Sequence, residues 1–295
     1  GDLGFIVGPR LNAAGRPDDM SIGIECLLAE SSASARGFAE KLHQLNRERR
    51  DIEQSMQQDA LAQLESIDLE SDASLFAMTL YDPGWHQGVI GILASRIRER
   101  VHRPTLVFAD AEEGMLKGSG RSIAGLHLRD VLDQVATQHP GLLTKFGGHA
   151  MAAGLSLARD DLNRFKQALN DAVAEALGHI PPERTEESDG ALTPSDFGLP
   201  LAEQLASGGP WGQHFPEPLF DGQFSVRSHR IVGEKHLKLT LDAEGTEIEG
   251  IAFNVDVPQW LAAPLGMFHA LYRLDVNEYR GERRAQVIIQ CFWPC

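Results

Sequence analysis

The chain has 295 residues, 42% of them apolar and 23% charged, with 27 Lys and Arg against 42 Asp and Glu, a formal net charge of −15 at pH 7. That composition is ordinary for globular protein of one to three domains, and no run of eighteen apolar residues is present to make a transmembrane helix. The acidic balance argues against diffuse attraction to polyanions, so any nucleic-acid site has to rest on particular residues.

The chain opens on GDLGFIVGPR, with no start methionine and no signal-peptide pattern, and reads as a piece of a longer protein. Residues 1–31 combine a Gly-, Pro- and Asn-rich loop, GPRLNAAGRPDD, with a short helix, SIGIECLLAE, for which Ser21 is the expected N-cap. Residues 32–66 carry a helical stripe: Phe38, Leu42, Leu45, Ile52, Met56, Ala60 and Leu64, with Arg49 standing where one apolar residue is missing. A helix of that length spans roughly 50 Å. Its stripe is single and short, which favours a helix joining two domains over a coiled-coil arm.

Residues 75–180 alternate strand and helix signals. LFAMTLY, TLVFA and AAGLSL read as strands; VIGILASRIRERV, LRDVLDQVATQ and DDLNRFKQALNDAVAEAL read as helices, the last capped by Asp160 or Asp161. Such alternation predicts an α/β layer. IPPERTEESDG over 180–190 is a linker by composition. Beyond it QFSVRSHRIV, HLKLTLD, EIEGIAFNV, FHALYRLDVNEY and AQVIIQCF are five strand candidates, mostly antiparallel. An OB-type β-barrel is the leading arrangement, and pattern alone leaves a small β-sandwich nearly as good. Cys26, Cys291 and Cys295 form neither a disulfide framework nor a zinc spacing, which predicts a reducing, cytoplasmic setting.

Four stretches could carry chemistry. KFGGHAMAAGLSL places Gly147, Gly148, His149 and Gly154 close together. Paired glycines let backbone N–H groups approach an oxyanion, and His149 can donate to a phosphate or exchange a proton. A tight turn with a satisfied histidine explains the same letters equally well. LKGSGRS offers Ser119, Gly120, Arg121 and Ser122 on what reads as a second glycine-rich loop, with Arg121 able to grip a phosphate bidentately; a surface turn is the plain alternative. GWHQGVIGI sits at a strand-to-helix junction, where helix N–H groups favour anions, with Trp85 and His86 as a stacking face and a donor; a buried Trp is the plain alternative. GPRLNAAGR adds Arg10 and Arg16. In the barrel region Phe224, Arg227, His229, Arg230, Lys235, His236, Lys238, Tyr272, Tyr279 and Arg280 could stack and hold single-stranded nucleic acid. The neighbouring Asp242, Glu244, Glu247 and Glu249 keep a merely solvated strand face in play.

Taken in order, GPRLNAAGR, GWHQGVIGILASRI, GSGRS, GGHAMAAG and PWGQHFPEPLF resemble the C-terminal part of RecJ-type exonucleases, in the DHH/DHHA1 phosphoesterase family, over residues 1–295. The resemblance implies the tail of a DHH domain at 1–31, a connecting helix at 32–66, a DHHA1 domain at 68–180 and an OB-fold domain at 190–295. It implies a parent enzyme that is a single-stranded-DNA-specific 5′→3′ exonuclease of repair and recombination, dependent on Mn2+ or Mg2+. The Asp-His-His triplet that holds those ions in the family is missing here, and Asp18 and Asp19 lack partners. The chain is therefore expected to hold no metal and not to cut DNA by itself. By the same resemblance Arg121 and Ser119, with Arg10 or Arg16, bind the 5′ end. His149, with Gly147 and Gly148, holds the phosphate near the cut bond, Trp85 and His86 line the strand's path, and the barrel holds strand further on through residues such as Arg230, Lys238 and Arg280. Single-stranded DNA is the implied partner, with a single-strand-binding protein or a helicase as further ones, and no membrane. Two other readings remain: a DHHA1-type phosphodiesterase of short oligonucleotides or cyclic dinucleotides, against which the second binding domain argues, and a non-catalytic single-strand-binding module.

Overall fold

The computed structural model describes residues 3–15, 20–65, 74–183, 185–212, 215–233, 236–253, 255 and 266–294. Two compact units divide at Arg184 and Thr185. Among the described residues, no helix is long and apolar enough to cross a membrane.

The first unit begins with helices. A short wide-turned helical segment at Leu3–Val7 leads into α1 (Gly8–Ala14) and α2 (Ser21–Leu28). The expected glycine-rich loop is thus largely helix, because Pro9 falls in its first turn, where a missing N–H costs nothing. Ser21 is the first residue of α2 rather than its cap; Met20 occupies that place without a side-chain bond. The long α3 (Ser32–Glu65, 34 residues) matches the expected joining helix. Its first half packs Leu42 and Leu45 against Ala13 and Ala14, and its second half packs Met56, Ala60 and Leu64 against a different core. Arg49, at the gap in the stripe, pairs with Glu53, which also meets Arg96 of the following helix.

That second core lies on one face of a five-stranded sheet in the order β1-β2-β3-β5-β4. The strands are β1 (Met78–Tyr81), β2 (Thr105–Asp110), β3 (Met115–Arg121), β4 (Lys145–Gly148) and β5 (Ala152–Ala158). Only β1 and β2 run parallel, joined by α4 (Ile90–Val101) as a crossover. α3 and α4 cover Met78, Leu80, Val107 and Ala109, while α5 (Leu128–Gln138) and α6 (Leu162–Ala176) cover Leu106, Phe108, Leu116, Leu155 and Leu157 on the other face. Asp161 precedes α6 without a side-chain capping bond, so neither expected aspartate caps it in that way. The edge strand β1 is closed at both ends by side-chain amides: Asn170 accepts from the Phe76 and Ala77 N–H groups, and Gln63 donates to the Tyr81 carbonyl.

The second unit is a closed barrel of β6 (Phe220–Val232), β7 (His236–Ala243), β8 (Thr246–Ala252), β9 (Met267–Tyr279) and β10 (Glu282–Pro294). Around the wall the order is β10-β8-β7-β6-β9, with β8 and β10 the one parallel pair. Five strands closed with that single crossover make an OB-type barrel and settle the choice against a sandwich. Leu237, Leu239 and Leu241 alternate inward along β7, where period two predicts them. A helix that the sequence reading lacks, α7 (Leu199–Ser207), sends Ala202 into this core. Phe224 and Tyr272, expected on the outer face, are instead packed inside, ring against ring at 5.1 Å. An aromatic on an inward position stabilises more in the core than it could on a wet wall.

Candidate nucleic-acid interface

β3 carries most of the interface. Its residues alternate: Leu116, Gly118 and Gly120 are buried, while Lys117, Ser119 and Arg121 take the opposite face. The GSGR segment is therefore a central strand, not a flexible loop. Its glycines are demanded by packing. A Cβ on Gly118 would lie 2.5 Å from the Phe108 ring, and one on Gly120 would lie 2.8 Å from Leu128. Gly120 thus serves the core rather than a ligand. Ser122 is fully buried, and its hydroxyl donates to the Leu126 carbonyl at 2.8 Å. That pins a turn and removes Ser122 from the candidate ligands.

Pairing places the remaining candidates together. Ser119 lies opposite Gly154 on β5, and Gly154 lies opposite Gly147 on β4. Cβ atoms built on Gly147 and Gly154 meet essentially open space. One row of the sheet is therefore a bare backbone floor with the Ser119 hydroxyl at its side. In the next row Arg121 faces Ala152, whose carbonyl accepts from the His149 N–H. The GSGR and GGH stretches, distant in sequence, meet across β5.

Arg121 is held in place. One guanidinium nitrogen bonds Ser119 Oγ at 3.2 Å and the Gly120 carbonyl at 2.8 Å. A Cβ on Gly91, in the first turn of α4, would approach both Arg121 and Ser119 to 3.0 Å, so the absent side chain makes room for the guanidinium. His149 is exposed, and its Nδ1 accepts from the Met151 N–H at 3.4 Å. The neutral ring then carries its proton on Nε2, an outward donor. Gly148, with φ +148° and its would-be Cβ 2.3 Å from the Ala152 carbonyl, is a glycine for steric reasons.

The other candidates divide. Trp85 is 4% exposed and belongs to the core under α4, so it is an anchor and not a stacking face; the apolar neighbours Val89, Ile90 and Leu93 outweigh any exposed role. His86 is exposed, accepts from the Gly88 N–H through Nδ1 and starts α4 by accepting at its carbonyl from Val89 and Ile90. It lines a cavity of about 620 Å³ with Trp85, Gln87, Gly88, Gly15, Asp110 and Lys117. Arg10 sits on α1, and its bonds go to Ile6 and to His43 of α3, within the helical layer. Arg16, Asp18, Asp19 and Lys235 lie outside the described residues.

On the barrel Arg230 lies opposite Lys238, and both line a 250 Å³ cavity with Glu249, Tyr279 and Arg284. Lys238 is paired with Glu249 at 2.8 Å, and Arg280 stacks over the Tyr279 ring at 5.2 Å. Of the other expected barrel cations, Arg227 is paired with Asp242.

The sequence reading missed Lys117 and Lys145. Both are exposed and share the open face of β3 and β4 with Ser119 and Gly147. The signal for Lys117 is the alternation Lys117–Ser119–Arg121, legible only once GSGR is read as a strand.

An α/β sheet of this kind, preceded by a long helix and followed by an OB barrel, defines a DHHA1 domain joined to an OB domain. The family model of the DHHA1 domain matches residues 72–175, and that of the RecJ OB domain matches residues 188–291. The chain resembles RecJ over almost its whole length. Single-stranded-DNA-specific exonuclease RecJ of Dickeya dadantii (strain 3937) is 52% identical over 295 residues, covering 99% of this chain and 51% of that protein. The RecJ of Escherichia coli (strain K12) is 49% identical with the same coverage. Among solved structures, Thermus thermophilus RecJ in complex with Mn2+ superposes with TM-score 0.79 at 29% identity, covering all of this chain and 41% of that one. Its complex with Mg2+ gives 0.78, covering 99% and 43%. The chain thus spans about half the length of the curated RecJ proteins it matches.

Mn2+ and Mg2+ need several hard oxygen or imidazole donors. No group of three or more His, Cys, Asp or Glu side chains that could hold an ion occurs among the described residues. The described residues therefore do not offer the donor set such an ion needs.

Proposed function

We propose that this chain is the strand-gripping half of a single-stranded-DNA-specific 5′→3′ exonuclease acting in repair and recombination. The observation that carries the reading is Arg121, braced by Ser119 beside the bare floor of Gly154 and Gly147. A guanidinium can take a phosphate bidentately, and a floor without side chains lets a backbone phosphate lie close to the sheet. His149 would offer Nε2–H to the next phosphate oxygen. In this reading the hydrolytic step, with its Mn2+ or Mg2+, belongs to a separate metal-binding half. The chain alone binds the strand and leaves it whole. The barrel would hold strand further from the end through Arg230 and Arg280. A single-strand-binding protein or a helicase would deliver the strand, in a reducing cytoplasm where Cys26 and Cys291 stay out of disulfides.

Fluorescence anisotropy with a labelled oligonucleotide, bearing either a 5′-phosphate or a 5′-hydroxyl, tests the reading. The phosphorylated strand should bind more tightly. Hydrogen bonds to charged groups contribute about 1.5–3 kcal/mol, so Arg121→Ala should cost roughly tenfold or more in affinity and erase the preference. Equal binding of both strands by the wild-type chain would remove the end-gripping role. Release of labelled mononucleotide after adding Mn2+ would overturn the division of labour.

A further inference from the structure

We propose that Lys117, Ser156 and Lys145 form a second anion row on the same sheet face, one that holds an internal phosphate of the strand. The inference rests on the strand-gripping reading above and extends it to residues that reading does not use.

Register carries the argument. Ser156 on β5 lies opposite Lys117 on β3 and opposite Lys145 on β4. The two lysines therefore flank one serine across three adjacent strands, with their backbones about 10 Å apart. All three share the face of Ser119, Gly154 and Gly147, because residues two apart on a strand point the same way. The order along the strands is Lys117–Ser156–Lys145, then Ser119–Gly154–Gly147, then Arg121–Ala152. Successive rows lie about 6.7 Å apart, and the lysine row stands roughly 13 Å from Arg121.

Neither the Lys117 nor the Lys145 side chain has a hydrogen-bond or ion-pair partner among the described residues, and both residues are exposed. In a chain with fifteen excess negative charges this is unusual company for two cations. Like charges gathered on one sheet face cost stability unless something answers them. Asp110, which lines a cavity with Lys117, is engaged by Arg159 and by the Tyr81 hydroxyl at 2.7 Å. α4 packs on β2 and β3, and among the described residues Lys145, Gly147 and Gly154 on the β5 and β4 part of this face are exposed. A strand anchored by its end phosphate at Arg121 and laid over the glycine floor would bring a later phosphate over Lys117 and Lys145. The long flexible lysine stems suit a phosphate that is held but must advance after each cut.

Lys145 also lies on an edge strand, where lysines discourage edge-to-edge pairing. Lys117, on a central strand, has no such duty, so the two explanations separate by experiment.

The test uses the 295-residue chain, the variants Lys117→Gln, Lys145→Gln and their double, and 5′-phosphorylated oligo-dT of two to eight nucleotides, read by anisotropy across a salt series. The wild-type affinity should rise with length until the lysine row is reached. The double variant should lose that rise and flatten the plot of log K against log salt by about 1.4, two contacts at about 0.7 each for a single strand. Its preference for 5′-phosphate over 5′-hydroxyl should persist, because Arg121 is intact. Arg121→Ala should do the converse, and Lys117→Arg should keep wild-type behaviour. An unchanged length dependence and salt slope in the double variant overturns the lysine row and leaves the Arg121 site standing. Self-association of Lys145→Gln with unaltered affinity assigns that residue to edge protection and overturns it too. A wild-type chain that binds no oligonucleotide overturns both this row and the reading beneath it.

Discussion

The unit that carries the open sheet face and the barrel unit have the same sign of net charge but use their cations differently. Residues 1–184 hold 19 Lys and Arg against 26 Asp and Glu, and residues 185–295 hold 8 against 16. On the barrel Arg227, Lys238, Arg273, Arg283 and Arg284 are each matched to a carboxylate, namely Asp242, Glu249, Glu217, Glu203 and Glu282. On the sheet Lys117 and Lys145 face solvent without a protein partner among the described residues. A paired cation releases few counterions when a phosphate arrives, whereas an unpaired one releases its full share. Net charge therefore does not locate a polyanion site; the pairing state of individual cations on an open face does.

The largest effect that could break this picture concerns the glycines of the sheet, which look alike in sequence and face opposite ways. Gly118→Val drives a branched side chain into the Phe108 ring, which already lies 2.5 Å from an added Cβ. Overpacking on this scale should cost about 3 kcal/mol, a fall of roughly 6–12 °C in the Tm of that unit by calorimetry. Gly154→Val meets only ordinary contact and should change stability by no more than about 0.5 kcal/mol. It should nonetheless abolish most single-strand binding, since it fills the floor. If Gly118→Val is tolerated, or Gly154→Val still binds the strand, the two-faced account of the sheet is wrong.

A smaller effect sharpens the contrast between units. Arg230→Gln and Arg280→Gln, on the barrel, should each lower the salt slope by at most about 0.7 for single-stranded DNA. Arg227→Gln should leave it unchanged, because Asp242 already neutralises that guanidinium. A barrel variant that lowers the slope more than the Lys117/Lys145 double would move the main grip from sheet to barrel.

Much of this was legible in the sequence, and the failures share a cause. Periodicity located α3, α5 and all five barrel strands, most clearly β7 and β8, where every second residue is buried along most of the strand. The same rule misread Leu116-Lys117-Gly118-Ser119-Gly120-Arg121. Its inward positions are filled by glycine, so the period of two carries no hydrophobic contrast. Gly-rich stretches then look like turns, although glycine within a strand also marks close approach from a neighbouring side chain, here Phe108 and Leu128. Trp85, Phe224 and Tyr272 can be read outward or inward from the sequence, because aromatic residues serve both cores and stacking surfaces, and only the fold decides between them. α7 had its signals, Gly198 ahead of it and Pro200 in its first turn, but it is short. The meeting of Arg121 with the GGH segment could not be read at all, since it depends on strand order.

The smallest effect concerns acid. The barrel unit holds three carboxylates whose pKa lies below the ordinary range. Asp196 is lowered by bonds from the Thr193 hydroxyl and N–H, Asp221 by the Ser188 hydroxyl and then by His269, and Asp242 by the Gly245 N–H and then by Arg227. A carboxylate whose folded pKa is depressed favours the folded state fully above its unfolded value, about 3.9 for Asp. That contribution fades as pH falls through the lower folded value. The barrel should therefore lose stability as pH falls below about 4, in a window set by these three groups. Asp221→Asn combined with Asp242→Asn should lower its stability at neutral pH slightly and flatten the acid decline. Urea unfolding at pH 6, 4 and 3, followed through the Trp293 indole that stacks on His269 at 4.9 Å, separates the barrel's response from that of the sheet. An acid decline equally steep in wild type and double variant would mean that these carboxylates do not set the barrel's acid limit. The pairing of charges within the barrel, which distinguishes it from the sheet, would then have no energetic weight.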